Sequence, residues 1–227
     1  MSGAATSLVE KTTQAALTVN EIFFSIQGEG TRAGRPSVFV RLTGCPLRCT
    51  WCDTAYAFYE GTRRSVTNVV AEVAAYPCRL LCLTGGEPLA QPAAFGLVTA
   101  LADAGFEVVV ETSGHVLLEP LDPRAVAIMD LKAPGSGEVH RTEWRNLDLL
   151  RPKDEIKLVL KDRADYEWAR VTLSEKRLAE RCPVLFSPVH AVLDPALLAR
   201  WILEDGLPVR LQLQLHKVLW PHAERGV

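Results

Sequence analysis

The chain has 227 residues, of which 48% are hydrophobic and 23% are charged, and its formal net charge at pH 7 is −2. This balance is typical of a globular protein with one large core or two small ones. It contains neither an apolar run of the roughly 18 residues that would suggest a membrane span nor the clustered Lys and Arg that nucleic-acid binding requires. We therefore expect neither a membrane nor a nucleic acid as a partner.

The first 18 residues are mostly small and polar, and we expect residues 1–18 to form a flexible N-terminus ahead of a single domain that covers residues 19–227. They show no apolar core of roughly 7–15 residues behind a basic start, as a secretory signal peptide would. We therefore expect a reducing, cytoplasmic location, in which closely spaced cysteines indicate metal binding or catalysis.

From residue 37 onward, strand-like apolar runs alternate with helix-like segments. The predicted strands, in chain order, are 37–44, 80–87, 106–114, 125–134, 155–162, 183–190 and 209–220, and the predicted helices are 65–76, 92–105, 165–181 and 194–206. This alternation predicts parallel β/α units.

Each apolar run ends in glycine or polar residues, for example at Gly44-Cys45 and Asp130-Leu131-Lys132. In a parallel β/α barrel these ends meet at one rim, where active sites are built. An open doubly wound sheet, which also binds ligands at strand C-termini, is the alternative. Because the chain is shorter than the ~250 residues of a full barrel, we predict an α/β fold with an incomplete TIM-like parallel barrel of about six strands.

Three cysteines with the spacing C-x3-C-x2-C follow the first predicted strand, namely Cys45, Cys49 and Cys52. Three thiolates on one short loop can hold three corners of an iron–sulfur cube and leave the fourth iron without a protein ligand. The spacing also leaves open a disulfide, with one odd thiol, and zinc, which as a structural ion usually takes four ligands. The remaining cysteines lie in or beside apolar runs, so we expect buried core thiols at Cys78, Cys82 and Cys182.

The second motif is TGGEP at residues 84–88. Two successive glycines allow the backbone to approach a ligand closely, and Glu87 offers an acceptor for an ammonium group. A plain β-turn with an exposed acid is the simpler interpretation of this motif alone. The cysteine loop at the end of the preceding strand favours a functional one.

Together, GCPLRCTWC and TGGEP resemble the radical S-adenosylmethionine (SAM) superfamily. The resemblance implies a [4Fe-4S] cluster on the three cysteines, with the open iron chelating the amino and carboxylate groups of SAM. It implies that the glycine–glycine–glutamate strand end holds the methionine moiety. It also implies a 5′-deoxyadenosyl radical that abstracts a hydrogen from the substrate, and a reductant such as flavodoxin.

A narrower resemblance rests on EIFFSIQGEG at residues 21–30, Arg41, the cysteine loop and the terminal LQLHKVLW. Over roughly residues 20–227 the chain is similar to the 7-carboxy-7-deazaguanine synthases of queuosine and 7-deazapurine biosynthesis. This implies a homodimeric lyase that converts 6-carboxy-5,6,7,8-tetrahydropterin to 7-carboxy-7-deazaguanine with loss of ammonia. A glycyl-radical enzyme activase is the nearest alternative, and a non-catalytic zinc-binding module is a distant one.

The resemblance also implies roles for individual residues. Gln27, Glu29 and the backbone at Gly28 can pair with the amide–amidine edge of a pterin, and Arg41 suits bidentate capture of its carboxylate. Thr54 matches a position that binds Mg²⁺, a cation that prefers oxygen ligands, whereas Asp53 is expected to be a loop or cap residue. The implied substrate-binding residues are Ile26, Gln27, Gly28, Glu29, Arg41, Thr84 and His216, and the implied SAM-binding residues are Gly86, Glu87, Glu111, Ser113, Asp130 and Lys132.

Overall fold

The computed structural model describes residues 15–227. The strands among them are β1 (Ala16–Ile26), β2 (Pro36–Leu42), β3 (Thr62–Ser65), β4 (Leu80–Gly85), β5 (Glu107–Thr112), β6 (Val126–Asp130), β7 (Glu155–Leu160), β8 (Val184–Pro188) and β9 (Arg210–Leu211). The α-helices among them are α1 (Val66–Ala74), α2 (Ala93–Asp103), α3 (Asn146–Leu149), α4 (Arg163–Glu175), α5 (Pro195–Glu204) and α6 (Leu215–Leu219). No helix in this part of the chain is long and apolar enough to cross a membrane.

The nine strands form one sheet in the order β3-β1-β2-β4-β5-β6-β7-β8-β9. β1 pairs antiparallel with β2 and β3, and the remaining neighbours pair in parallel. Six of the predicted strands form the parallel part, to which the two-residue β9 is added. The sheet ends at β3 and β9 and does not close, so the α/β prediction of an incomplete barrel is confirmed.

The parallel strands are covered on both faces, which explains why they read as continuous apolar runs rather than as alternating ones. In β8 all five residues are buried, and in β4 Leu80–Thr84 are buried. The helices supply an amphipathic outer layer. In α1, for example, Val66, Val69 and Val73 are buried at helical spacing, and the Ser65 side chain caps the first turn by accepting from the amide of Asn68.

The first strand begins before the predicted start of the domain. β1 begins at Ala16, three residues before the predicted domain start at residue 19. The remainder of the predicted flexible segment, residues 1–14, lies outside the described residues. β1 and β3 form an antiparallel extension of the sheet that was not predicted, although ALTVNEIFFSI carries a partial alternation of apolar and polar residues.

The prediction of a long last strand over 209–220 was wrong. β9 covers only two residues, and the chain then turns into α6. The apolar residues Leu211 and Leu213 are exposed, whereas the polar residue Gln212 between them is buried, which is the reverse of the pattern expected for a strand of the core. The backbone leaves the sheet where the amide of Leu215 donates to the carbonyl of Gly28 at 3.1 Å.

Candidate active site

A cavity of about 540 Å³ lies at the C-terminal ends of the parallel strands, the rim that the sequence predicts. Its wall consists of the last residues of the strands, the loops that follow them and the C-terminal segment. Sixteen of the predicted site residues line it: Ile26, Gln27, Gly28, Glu29, Arg41, Cys45, Cys49, Cys52, Thr54, Thr84, Gly86, Glu111, Ser113, Asp130, Lys132 and His216.

The cysteine loop lies between β2 and β3 and brings its three cysteines into the cavity wall as free thiols. Two hydrogen bonds attach it to the segment after β6, from the Thr50 amide to the carbonyl of Ser136 at 3.1 Å and from Thr50 Oγ1 to the carbonyl of Gly135 at 2.9 Å. Burial raises the pKa of the Cys45 and Cys49 thiols. Metal binding at this loop therefore has to release protons.

The three cysteines line one cavity as free thiols. Within residues 15–227, no group of three His, Cys, Asp or Glu side chains lies close enough together to hold a single metal ion. Cysteine thiolates are the ligands by which proteins hold iron–sulfur clusters, so the residues present fit the cluster that the sequence predicts.

The two sequence motifs are in direct contact. The amide of Glu87 donates to the carbonyl of Gly44 at 2.8 Å, and the amide of Gly86 donates to the carbonyl of Leu42 at 3.1 Å. A Cβ atom on Gly86 would lie 2.2 Å from the carbonyl oxygen of Gly44 and 2.8 Å from Cβ of Cys45. Gly86 therefore permits the close approach of the cysteine loop to the end of β4.

Glu87, the predicted acceptor for the ligand ammonium, does not line the cavity. Its side chain is fully buried behind the cavity wall. Oε1 accepts from the amide of Leu89 at 3.0 Å and from Thr112 Oγ1 at 2.9 Å, and Oε2 accepts from the amide and hydroxyl of Ser113 at 2.6 and 2.7 Å. The carboxylate thus fixes the end of β5 to the end of β4, and Ser113 is the residue that faces the cavity.

Asp130 and Lys132 form an ion pair of 2.8 Å in the wall beside the cysteines. Burial opposes ionisation of Asp130, but Lys132 and Lys157 outweigh it and hold the pKa of Asp130 below its usual value. Oδ1 of Asp130 is buried and has no hydrogen-bond partner within the described residues. An unpaired buried acceptor is costly, so this oxygen is ready for a donor from a ligand.

The SIQGEG motif runs from the end of β1 into the segment that follows it, which we call the QGEG loop (residues 27–35). Its ends are held together by hydrogen bonds of 2.8 Å between Gln27 and Arg35 and between Gly34 and Gln27. Its tip lies against β7, where Thr31 Oγ1 and the Thr31 amide donate to Glu155 at 2.6 and 2.8 Å.

Two residues further along β7, Lys157 donates to Glu29 of the same loop. Residues two apart on a strand point to the same face of the sheet. Glu155 and Lys157 therefore attach the QGEG loop to one face of β7. The fit is close, because a Cβ on Gly30 would lie 2.7 Å from Cδ1 of Ile128 and a Cβ on Gly28 would lie 2.4 Å from Nδ1 of His216.

Two carboxyl groups in this half of the cavity have opposite pKa shifts. Burial opposes ionisation of Glu29, but Lys157 and a hydrogen bond from Gln214 outweigh it and lower the pKa of Glu29. At Glu111, burial and the negative charge of Glu29 raise the pKa. Burial also lowers the pKa of His216, which favours its neutral imidazole form.

Arg41 lies opposite Thr84 in the register of β2 and β4. Its Nε donates to Glu21 at 2.8 Å, and Tyr56 donates to the same carboxylate oxygen at 2.8 Å. The guanidinium also lies over the rings of Phe23 and Tyr56, at 5.7 and 5.8 Å from their centres. Arg41 is therefore held rigidly by one edge at the cavity wall.

Thr54 lies in the same wall, where its hydroxyl donates to Asp53 at 2.9 Å. Asp53 in turn forms an ion pair of 3.2 Å with Lys217. Burial opposes ionisation of Asp53, but Lys217 and Thr54 outweigh it and lower the pKa of Asp53. Asp53 thus supplies a negative charge beside Thr54, which is more than the loop or cap role that the sequence suggested.

Sequence reasoning missed four residues of this site, namely Lys157, Gln214, Glu21 and Tyr56. A signal existed for Lys157, because it is a charged residue within the apolar run EIKLVL, as Arg41 is within its own strand. No comparable signal marks Glu21 or Tyr56. Glu21 bonds to Arg41, 20 residues further along the chain, and Tyr56 bonds to Glu21 over 35 residues.

Comparison with known proteins yields one family and several close relatives. Residues 39–130 match the family model described as the radical SAM superfamily. The chain is 43% identical to the 7-carboxy-7-deazaguanine synthase of Chlorobaculum tepidum over 95% of this chain and 99% of that protein. It is 42% identical to the synthase of the same name from Koribacter versatilis over 92% and 99% of the two chains.

Among solved structures, QueE from Escherichia coli has a similar fold, with a TM-score of 0.76, 23% sequence identity and coverage of 92% of this chain and 98% of that one. The shared fold extends over almost the whole length of both chains.

Proposed function

The chain belongs to the 7-carboxy-7-deazaguanine synthase family of radical SAM enzymes, and on that premise we propose that its cavity holds 6-carboxy-5,6,7,8-tetrahydropterin between the cysteine loop and the QGEG loop. The enzyme is a carbon–nitrogen lyase whose reaction contracts the reduced pterin ring and releases ammonia. Family membership favours this function over that of a glycyl-radical enzyme activase.

The cofactor half of the site comprises the cysteine loop and the neighbouring strand ends. Cys45, Cys49 and Cys52 would hold the [4Fe-4S] cluster. When bound, the cluster and SAM supply the 5′-deoxyadenosyl radical that abstracts a hydrogen from the substrate. The polar groups available to SAM are the backbone at Gly86 and the side chains of Ser113, Asp130 and Lys132. Glu87 supports Ser113 from behind the cavity wall. Glu111 lies nearer the substrate half.

The substrate half comprises the QGEG loop and the residues around it. Gln27 Nε2 is buried without a hydrogen-bond partner in the described structure, and Glu29 is held ionised. A donor and an acceptor of this kind complement the amide–amidine edge of a pterin. That Gln27 and Glu29 line the same cavity as the three free thiols is the observation that carries the proposal.

Further contacts complete the substrate half. Arg41 would receive the substrate carboxylate, and Ile26, Gly28, Thr84 and His216 would contact the ring. Thr54 would contribute its hydroxyl to Mg²⁺, for which the adjacent Asp53 provides negative charge. Since these residues are rigidly held, they act by positioning, where small displacements cost much rate.

The enzyme is proposed to act as a homodimer in the cytoplasm, with a reductant such as flavodoxin. Exposed apolar side chains of the C-terminal segment, at Leu211, Leu213, Val218 and Leu219, support a subunit contact. Six free thiols support a reducing compartment. A one-electron donor is required because the cluster has to be reduced before SAM is cleaved.

The function is tested by an anaerobic assay with 6-carboxytetrahydropterin, SAM, Mg²⁺ and a reductant, with detection of 7-carboxy-7-deazaguanine and ammonia. Cys45→Ala is expected to lose both the brown cluster and turnover. Cys78→Ala is the matched control, because Cys78 is half-buried, precedes β4 and lies outside the cavity wall. Full activity in reconstituted Cys45→Ala, or no product from the intact enzyme, contradicts the proposal.

A further inference from the structure

Glu111, which the family resemblance assigns to SAM, contacts residues of the substrate half instead. It is the fifth residue of β5 and lines the cavity. Thr84 Oγ1 on β4 donates to its Oε2 at 2.9 Å, and the thiol of Cys82 on the same strand also stabilises its ionised form. The charged groups that act on it are Glu29, Lys157 and Arg41, all in the substrate half.

The cations near Glu111 are committed to other carboxylates. Lys157 donates to Glu29 and lies 3.6 Å from Asp130, and Arg41 donates to Glu21. Glu111 is therefore a cavity-facing carboxyl group beside an ionised Glu29 and without an ion pair of its own among the described residues. When the pKa values of two neighbouring carboxyl groups are shifted in opposite directions, the group with the raised pKa can serve as an acid and the other as a hydrogen-bond acceptor.

The proposed reaction requires an acid of this kind. The contracting ring of a tetrahydropterin contains two nitrogens, whereas the five-membered ring of 7-deazaguanine contains one, so one ring nitrogen must leave. Substrate and product differ by NH₃, and the overall change consumes neither oxidant nor reductant.

The nitrogen that leaves is an NH group bonded to two ring carbons, so two C–N bonds break and two hydrogens are added to it. One C–N bond is exchanged for the carbon–carbon bond that closes the smaller ring, and the hydrogen atom abstracted from the substrate is returned to the nitrogen. When the second C–N bond breaks, nitrogen takes the bonding electron pair and needs one proton.

We propose that Glu111 is the catalytic acid, giving its carboxyl proton to the departing ring nitrogen. The remaining carboxylate then accepts the proton that the ring carbon loses as the five-membered ring becomes aromatic, which returns Glu111 to its starting state. With Thr84 donating to Oε2, Oε1 carries the transferable proton. This inference rests on the proposed substrate.

The test compares Glu111→Gln with Glu111→Asp and with Glu119→Gln, which removes an exposed carboxylate outside the cavity. Glutamine keeps the shape and a hydrogen-bond donor but cannot give up a proton. In Glu111→Gln we expect unchanged cluster content and continued formation of 5′-deoxyadenosine. Product and ammonia should form roughly 10²–10⁴-fold more slowly, as for loss of a general acid. Aspartate should restore part of the rate, and Glu119→Gln should match the unmodified enzyme.

The dependence of kcat on pH separates proton donation from a structural role. The unmodified enzyme should lose rate as pH rises through the pKa of the acid, and Glu111→Gln should lack that limb. A Glu111→Gln variant that turns over at the normal rate, or one that raises KM while kcat is unchanged, overturns the inference. If the unmodified enzyme forms no product, the proposed substrate fails instead, and that outcome is distinct.

Discussion

The carboxylate of Glu29 and the ammonium group of Lys157 form an ion pair that joins the QGEG loop to β7 inside the cavity. Each side chain is 10% exposed, and a hydrogen bond of 2.9 Å from Gln214 completes the shell around Glu29. The pair is also next to Asp130, 3.6 Å from Lys157. One lysine therefore connects the proposed substrate half to the proposed cofactor half.

Replacing Lys157 with methionine is expected to destabilise the protein by about 3–5 kcal/mol, because it leaves a buried carboxylate without its partner. The free energy of unfolding in urea measures this loss. Lys161→Met, just beyond the same strand, removes a half-exposed lysine and should cost less than about 1 kcal/mol. The double variant Lys157→Met/Glu29→Gln should recover most of the stability but form no product. Equal stability of Lys157→Met and the unmodified protein would contradict a buried pair.

The hydroxyl of Thr31 anchors the tip of the QGEG loop, and its loss should loosen the loop. Thr31→Val removes the 2.6 Å hydrogen bond to Glu155, whose carboxylate is buried, at an expected cost of about 1–3 kcal/mol. Because Glu29 lies two residues away, KM for the pterin should also rise. Thr99→Val is the control, since Thr99 is exposed, its hydroxyl bonds to the carbonyl of Phe95 and to Asp122, and neither partner lies in the cavity wall. An effect on stability without any effect on KM would show that the tip does not position Glu29.

Much of the fold and part of the candidate site could be predicted from the sequence. The six parallel strands were predictable because each is buried on both faces and reads as a short apolar run. The cysteines were predictable because their chemistry depends on local spacing. The direction of the Glu87 side chain could not be predicted, because its partners Thr112 and Ser113 lie at and just beyond the end of the next strand. The position of the QGEG loop depends on its contacts with Glu155 and Lys157, which lie more than 120 residues further along the chain. No local sequence pattern predicts contacts over that separation.

Gly86 should be intolerant of a side chain, since the cysteine loop occupies the space of a Cβ. In Gly86→Ala the new atom would overlap the carbonyl of Gly44, and we expect loss of most of the iron and sulfide after anaerobic reconstitution. Gly105→Ala provides the comparison, because nothing lies near its Cβ and only its positive φ of 83° opposes the change. That variant should lose about 1–2 kcal/mol of stability and keep its cluster. Normal iron content in Gly86→Ala would mean that the loop can move away from the strand end.

The stability of the protein should depend on the ionisation of Glu111 in a direction that the structure fixes. Burial and the charge of Glu29 raise the pKa of Glu111 above its ordinary value of 4.5, against the attraction of Lys157. A raised native pKa means that the unfolded chain releases this proton at lower pH than the folded one. The stabilising contribution is therefore complete below about pH 4.5 and is lost as pH rises through the native pKa.

Glu111→Gln removes this dependence, so its Tm relative to the unmodified protein should increase as pH rises above about 4.5 and level off above the native pKa of Glu111. Thermal unfolding monitored by circular dichroism over a series of buffers measures the difference. Glu119→Gln, which changes an exposed carboxylate, should show a constant offset. If the curves for Glu111→Gln and the unmodified protein run parallel, Glu111 ionises normally in the folded state. The proton needed by the departing nitrogen would then have to come from another group.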